Sequence, residues 1–311
     1  ENISFFCLVP DSLRINPDQS ALAVSLRDTG GADGNGWRAN HRRMTAKKSL
    51  GQHFLRCRWV VDTLIHAAEL TPEDVVLEIG PGTGILTRAL AKQAGEVIAV
   101  EKDDVLAEKL ATILKKEGYP NVQVIPGDIL KYVVSLASHM WEAKLTTYKV
   151  VANIPYYLTS RLLRLLLEQQ PRPERIVLTI QKEVAERIVA RPPHMNLLAL
   201  SVQAFAKPEI IKAVPASCFS PPPKVDSAII QISNISQRFF TKNGLNPAQF
   251  FGLIRRAFSQ KRKLLLNTIP VEHRGFNKDK IAAVLVGLGL PKNARPEELS
   301  LQNWADLAKS L

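Results

Sequence analysis

Apolar residues along this chain come in short continuous runs separated by amphipathic stretches. VVLEI (75–79) has the length and composition of a strand buried on both faces, and EVIAVE (96–101), VQVIP (122–126), YKVVANI (148–154) and RIVLTIQ (175–181) read as further strands. Between them, 58–69, 104–117, 159–168 and 182–190 read as helices. The first places Val60, Val61, Leu64, Ile65 and Ala68 on one face, and the second Val105, Leu106, Leu110, Ile113 and Leu114. This alternation predicts an α/β fold, a mostly parallel sheet with helices on both faces. Residues 197–206 fit a strand or a helix, and 209–214 with 225–232 read as a terminal strand pair. After an expected linker at 233–244 the pattern becomes helical, at 247–258, 261–268, 278–288 and 297–310, with Pro247, Pro270, Pro291 and Pro296 at boundaries. The expected division is an α/β domain over 44–235 and a small all-helical carboxyl-terminal domain over 245–311.

Charge sharpens this picture. The 311-residue chain carries a net charge of +12. Residues 1–43 are balanced, so the whole excess falls in 44–311 and favours a polyanionic partner, most simply nucleic acid. Arg255, Arg256, Lys261, Arg262 and Lys263 lie close together, and Lys47 and Lys48 precede GQHFL; all seven are candidate RNA-backbone contacts. Residues 1–43 show no apolar periodicity. They are expected to be a disordered extension or an upstream-start artefact, with the functional chain beginning near Met44. No apolar run approaches the ~20 residues that span a bilayer. Cys7, Cys57 and Cys218 are scattered, with no metal spacing and no disulfide framework, as suits a reducing cytoplasm. No metal is expected.

Candidate chemistry gathers where the expected strands end. VVLEI runs into Gly80, Gly82 and Gly84, a GxGxG turn that opens a helix and lets a ligand approach the backbone. Glu101 ends the next strand and can accept both hydroxyls of a ribose. Asp128 follows the third, and Asn153 closes the fourth as NIPYY. In open parallel sheets the ligand sits beyond these carboxyl ends. An adenine amino group is a poor nucleophile because its lone pair is delocalised into the ring. The Asn153 side-chain oxygen and the Ile154 carbonyl can accept both amino hydrogens and favour a tetrahedral nitrogen. Pro155 fixes the backbone, and Tyr156 offers a ring for a base to stack on. CFSPPPKVDS reads as a stiff loop that presents Phe219 rather than burying it.

Taken in order, KKSLGQHFL, LEIGPGTGILT, Glu101, GDIL (127–130), NIPYYLTS, LTIQKEVAERI, FSPPPKVDSA and RRAFSQKRKLLLNTI make residues 44–311 resemble the ribosomal RNA adenine dimethyltransferases of the small-subunit, KsgA type. The resemblance implies a Rossmann-like S-adenosylmethionine-dependent methyltransferase. His53 and Leu55 would line the donor site, Gly80 would lie under its methionine part with Gly82 also binding the donor, Glu101 would hold the ribose, Asp128 would read the donor's adenine and Asn153 would sit by the methyl. Tyr156 and Phe219 would sandwich the target base. The implied reaction dimethylates two adjacent adenines in the 3′-terminal hairpin loop of small-subunit ribosomal RNA. The implied partner is the immature small subunit, met by a cytoplasmic monomer. Tyr157 departs from a family motif that often has Asn or another residue there. The competing readings are a macrolide-resistance type acting on large-subunit RNA and a non-catalytic ribosome-assembly factor. The segment FSQKRKLLLNT disfavours the first, and the intact Gly80, Glu101, Asp128 and Asn153 set the second.

Overall fold

The computed structural model describes residues 51–142, 147–260, 263–269 and 278–310, the side chains of 136–142 excepted. The expectations for residues 1–43, Lys47, Lys48, Lys261 and Arg262 lie outside the described residues. Thr45–Leu311 cluster as one compact unit. Its elements in chain order are β1 (Phe54–Leu55), α1 (Arg58–Ala68), β2 (Val75–Ile79), α2 (Ile85–Ala91), β3 (Glu96–Glu101), α3 (Asp104–Lys116), β4 (Val122–Pro126), α4 (Ile129–Glu142), β5 (Lys149–Asn153), α5 (Thr159–Glu168), β6 (Arg175–Gln181), α6 (Lys182–Ile188), α7 (Leu197–Gln203), β7 (Lys207–Val214), β8 (Phe219–Ser220), β9 (Ser227–Ser233), α8 (Arg238–Asn243), α9 (Pro247–Phe258), α10 (Lys278–Gly287) and α11 (Leu301–Ser310).

Seven strands form one sheet in the order β4-β3-β2-β5-β6-β9-β7. Pairing is parallel from β4 to β6 and antiparallel at β6–β9 and β9–β7. The chain builds outward from β2 through β3 to β4, then returns to lay β5 on the other side of β2. That reversal makes the β2/β5 junction the switch point, where Rossmann-like sheets open a crevice for ligands.

Strand periodicity divides the core. Val75, Leu77 and Ile79 pack on one face with Val150, Ala152, Leu162, Leu163 and Leu166. Val76 faces the other way, into a cluster with Val60, Leu64, Leu86 and Leu90 of α1 and α2. Glu78 shares that second face and is a buried acid in an otherwise apolar strand. The first face continues into the carboxyl-terminal helices through Phe250, Ile254 and Trp304.

Three sequence readings are corrected. Residues 233–244 are not simply a linker: they hold α8, whose Phe240 is buried in ring contact with Phe205, Phe239, Phe250 and Phe251. The stretch after Asp128, for which the sequence reading predicts no element, is α4; the Asp128 carboxylate accepts the Leu130 amide at its start, 2.9 Å away. The third concerns cysteine. β1 and β8 form a two-stranded sheet, Phe54 opposite Ser220 and Leu55 opposite Phe219, which brings the Cys57 and Cys218 Cα atoms to 5.0 Å, joined by a disulfide. No helix among the described residues is long and apolar enough to cross a membrane.

Candidate functional site

A cleft opens at the switch point. It is lined by Gly80 and Gly82 from the turn after β2, Glu101 and Lys102 from β3 and its end, Asp128 beyond β4, Asn153 to Tyr157 from the last residue of β5 onward, and Gly51 to Leu55 from the amino-terminal arm. The structure therefore brings together His53, Leu55, Gly80, Gly82, Glu101, Asp128, Asn153, Pro155 and Tyr156. The turn is left-handed at Gly80, Gly82 and Gly84 (φ +65°, +56° and +78°). A side chain at Gly82 would also press on the Phe54 ring, with its Cβ at 3.0 Å, so glycine there keeps both the turn and the arm in place.

Glu101 is buried, and its carboxylate accepts the Asp103 amide (3.0 Å) and the Gly82 amide (3.2 Å). It thus ties the glycine turn to the end of β3 and keeps lone pairs for a ligand. Burial raises its pKa above the ordinary carboxylate value, against the pull of those two amides. Asp128 is more open. Burial works to raise its pKa, but the Leu130 amide and the Lys102 ammonium, 3.1 Å away, outweigh it and hold the carboxyl below its ordinary value. The sequence reading misses Glu78 as a site residue, although an acid inside VVLEI is a signal. It lines the cleft, its Oε2 has no hydrogen-bond partner among the described residues, and burial foremost, with the Glu101 charge adding, pushes its pKa up to about 8.

At the NIPYY end, Asn153 Nδ2 donates to the His53 carbonyl at 3.1 Å. That bond fixes the amide's orientation and leaves Oδ1 free to accept. Pro155 holds an extended backbone (φ −57°, ψ 132°) before a single 3₁₀ turn over Tyr156–Leu158. The Tyr156 hydroxyl is bonded to the Ser227 hydroxyl at 2.7 Å, and the His53 ring stacks against the Tyr156 ring at 5.8 Å. Tyr157 is exposed at the mouth of the cleft.

Phe219 departs from expectation. It is 2% exposed, sits in the core cluster with Leu55 and Val60, and is not among the residues that line the cleft. Its pairing opposite Leu55 in the β1–β8 sheet sets it in that core instead of presenting it. Arg255, Arg256 and Lys263 are exposed on and just after α9 and are not among the residues that line the cleft.

A family model described as ribosomal RNA adenine dimethylase matches residues 43–311. Among curated relatives, a ribosomal RNA small subunit methyltransferase A from Dehalococcoides mccartyi is 42% identical over 85% of this chain and 88% of its own length. The protein of the same name from Moorella thermoacetica is 38% identical over 86% and 93%. Among solved structures, a dimethyladenosine transferase from Plasmodium falciparum superposes with a TM-score of 0.66 at 29% identity, covering 82% of this chain and 96% of that one. The 23S rRNA methyltransferase ErmE superposes with 0.64 at 26% identity, over 83% and 99%.

Proposed function

Because the chain belongs to the ribosomal RNA adenine dimethylase family, we propose that it dimethylates the N6 amino groups of two adjacent adenines in the 3′-terminal hairpin loop of small-subunit ribosomal RNA, with S-adenosylmethionine as donor. In this reading it acts as a cytoplasmic monomer during small-subunit assembly. Residues 44–235 form the catalytic part, and 245–311 the helical part that contacts RNA.

The cleft suits the donor. Its glycine turn leaves backbone open to close approach, Glu101 has lone pairs to spare for ribose hydroxyls, and Asp128, held by the Leu130 amide and Lys102, lines the same cleft as the candidate for an adenine edge. His53 and Leu55 would cover it, and Gly80 and Gly82 would lie beneath it. When bound, the donor supplies an electrophilic sulfonium methyl.

This chain's own task is to present the target nitrogen. The observation that carries the reading is the Asn153 amide, held by the His53 carbonyl so that Oδ1 can accept one amino hydrogen. The Ile154 carbonyl is the candidate acceptor for the other. Together they draw the nitrogen toward tetrahedral geometry and free its lone pair. Tyr156 holds the base by stacking, so positioning and hydrogen bonding do the work and no charged general base is needed. A hairpin loop lets bases splay out without melting a duplex.

The ErmE likeness keeps a large-subunit target as a second reading, since the two solved structures superpose about equally well. The curated relatives at 38–42% identity carry the small-subunit name and favour the first. The chain should be incubated with donor and undermethylated small or large subunits, and the methylated adenines mapped by mass. Two dimethyladenines in the small-subunit hairpin are expected. Methylation confined to the large subunit would transfer the assignment to the second reading.

A further inference from the structure

We propose that Ser227 is the positioning residue for the target-base platform, acting through the hydroxyl of Tyr156. This rests on the functional reading above and extends it to a residue outside the cleft's lining.

Ser227 opens β9, an apolar strand where valine, isoleucine or alanine would fill the space without a buried hydroxyl to satisfy. Its backbone is fixed from both sides, paired with Gln181 of β6 and Val214 of β7. The residue is fully buried, and its hydroxyl lies 2.7 Å from that of Tyr156. A ring on a one-turn helix is thereby tied to the start of β9, a strand paired on both sides in the main sheet.

The same FSPPPKVDS segment supplies a second restraint. The Pro221 carbonyl lies 2.8 Å from His53 Nδ1, and the His53 ring is stacked against Tyr156 with 23° between planes. Ser227 thus pins the Tyr156 ring at its rim while His53 backs one face. A base must stack on the face that remains, at a height set by the sheet. Aromatic stacking alone tolerates sliding; the hydroxyl pair removes that freedom, and the target nitrogen then meets Asn153 in one register.

A purely structural hydroxyl would show itself in melting temperature. A positioning hydroxyl shows itself in the rate at saturation, and through Tyr156. The test is a cycle of Ser227→Ala, Tyr156→Phe and the double variant, assayed by single-turnover methylation of undermethylated small subunits. Donor affinity is measured by calorimetry. A hairpin RNA with 2-aminopurine in place of the target adenine reports stacking through fluorescence quenching.

Each single variant should lose about ten-fold in rate at saturating donor and RNA, the size one buried hydrogen bond carries. The double variant should lose no more than either single, quenching should fall in all three, and donor affinity should hold. Multiplying losses in the double variant, or singles within two-fold of the parent, overturn the inference. Should Ser227→Ala fail to fold, Tyr156→Phe alone decides: full rate with full quenching overturns the inference, and loss of both supports it. An inactive parent chain overturns the functional reading and this inference together, whereas an active parent with independent variants overturns the inference alone.

Discussion

Replacing Phe219 with alanine should destabilise the chain by about 3–5 kcal/mol, the cost of emptying a large aromatic site in a packed core. Donor affinity should change less than stability, because Phe219 is packed in the core cluster and reaches the cleft only through Leu55, its partner in the β1–β8 pair. Denaturant melts and calorimetry check both halves; a stable variant with impaired base stacking would return Phe219 to the site. Glu78 gives a pH signature. Its folded pKa, about 8, lies above the ordinary 4.5, so the fold favours its protonated form. The stability it contributes is complete below about 4.5 and is lost as pH rises toward 8. Melts between pH 5 and 9 should therefore fall with pH in the parent and flatten in Glu78→Gln. Asp74 and Asp128, whose pKa values are lowered, titrate below this window; Glu101, whose pKa burial also raises, adds a slope of the same sign in both proteins, so the difference between the two slopes is what reports Glu78. Equal slopes in both proteins would show that Glu78 is ionised in the fold. The positions of Glu101, Asp128 and Asn153 were legible from sequence because each ends an apolar run. Ser227 and Phe219 were not, since their neighbours come from β1 and the NIPYY turn, which no local pattern ties to them.

At the scale of elements, the strands at 96–101, 122–126 and 175–181 and the helix at 247–258 are where the sequence places them. Apolar runs of strand length and a proline after an Asn cap are strong local signals: Asn246 accepts the Ala248 and Gln249 amides, and Pro247 opens α9. The β1–β8 pair left no such trace. It has two residues per strand, and its flanking cysteines are 161 positions apart. α9 also separates two jobs by face. Phe250, Phe251, Ile254 and Ala257 are buried, while Arg255 and Arg256 are exposed. Neutralising Arg255, Arg256 and Lys263 together with Lys261 and Arg262 should weaken RNA binding. It should also flatten the plot of log K against log salt by roughly 0.7–0.9 for each phosphate that is no longer neutralised. Donor affinity, read by calorimetry, should stay the same. An unchanged salt slope would make the run a solvated face.

The whole molecule divides its labour along the strand axis. The apolar inner strands, buried on both faces, fix a rigid sheet, and the reversal at β2/β5 opens the cleft at the strands' carboxyl ends. There the polar residues stand on ends that cannot shift independently. The arm at Gly51–Leu55 then joins the site from outside the main sheet, its His53 carbonyl holding the Asn153 amide. The account rests on that amide presenting the target nitrogen while contacts elsewhere hold the RNA. The most direct measurement is single-turnover methyl transfer by Asn153→Ala at saturating donor and undermethylated small subunits, alongside its affinity for those subunits. The account predicts that most of the transfer rate is lost and RNA affinity is kept, because the bond is worth most as the nitrogen becomes tetrahedral. Transfer at the parent rate would contradict it, and would make NIPYY a structural turn.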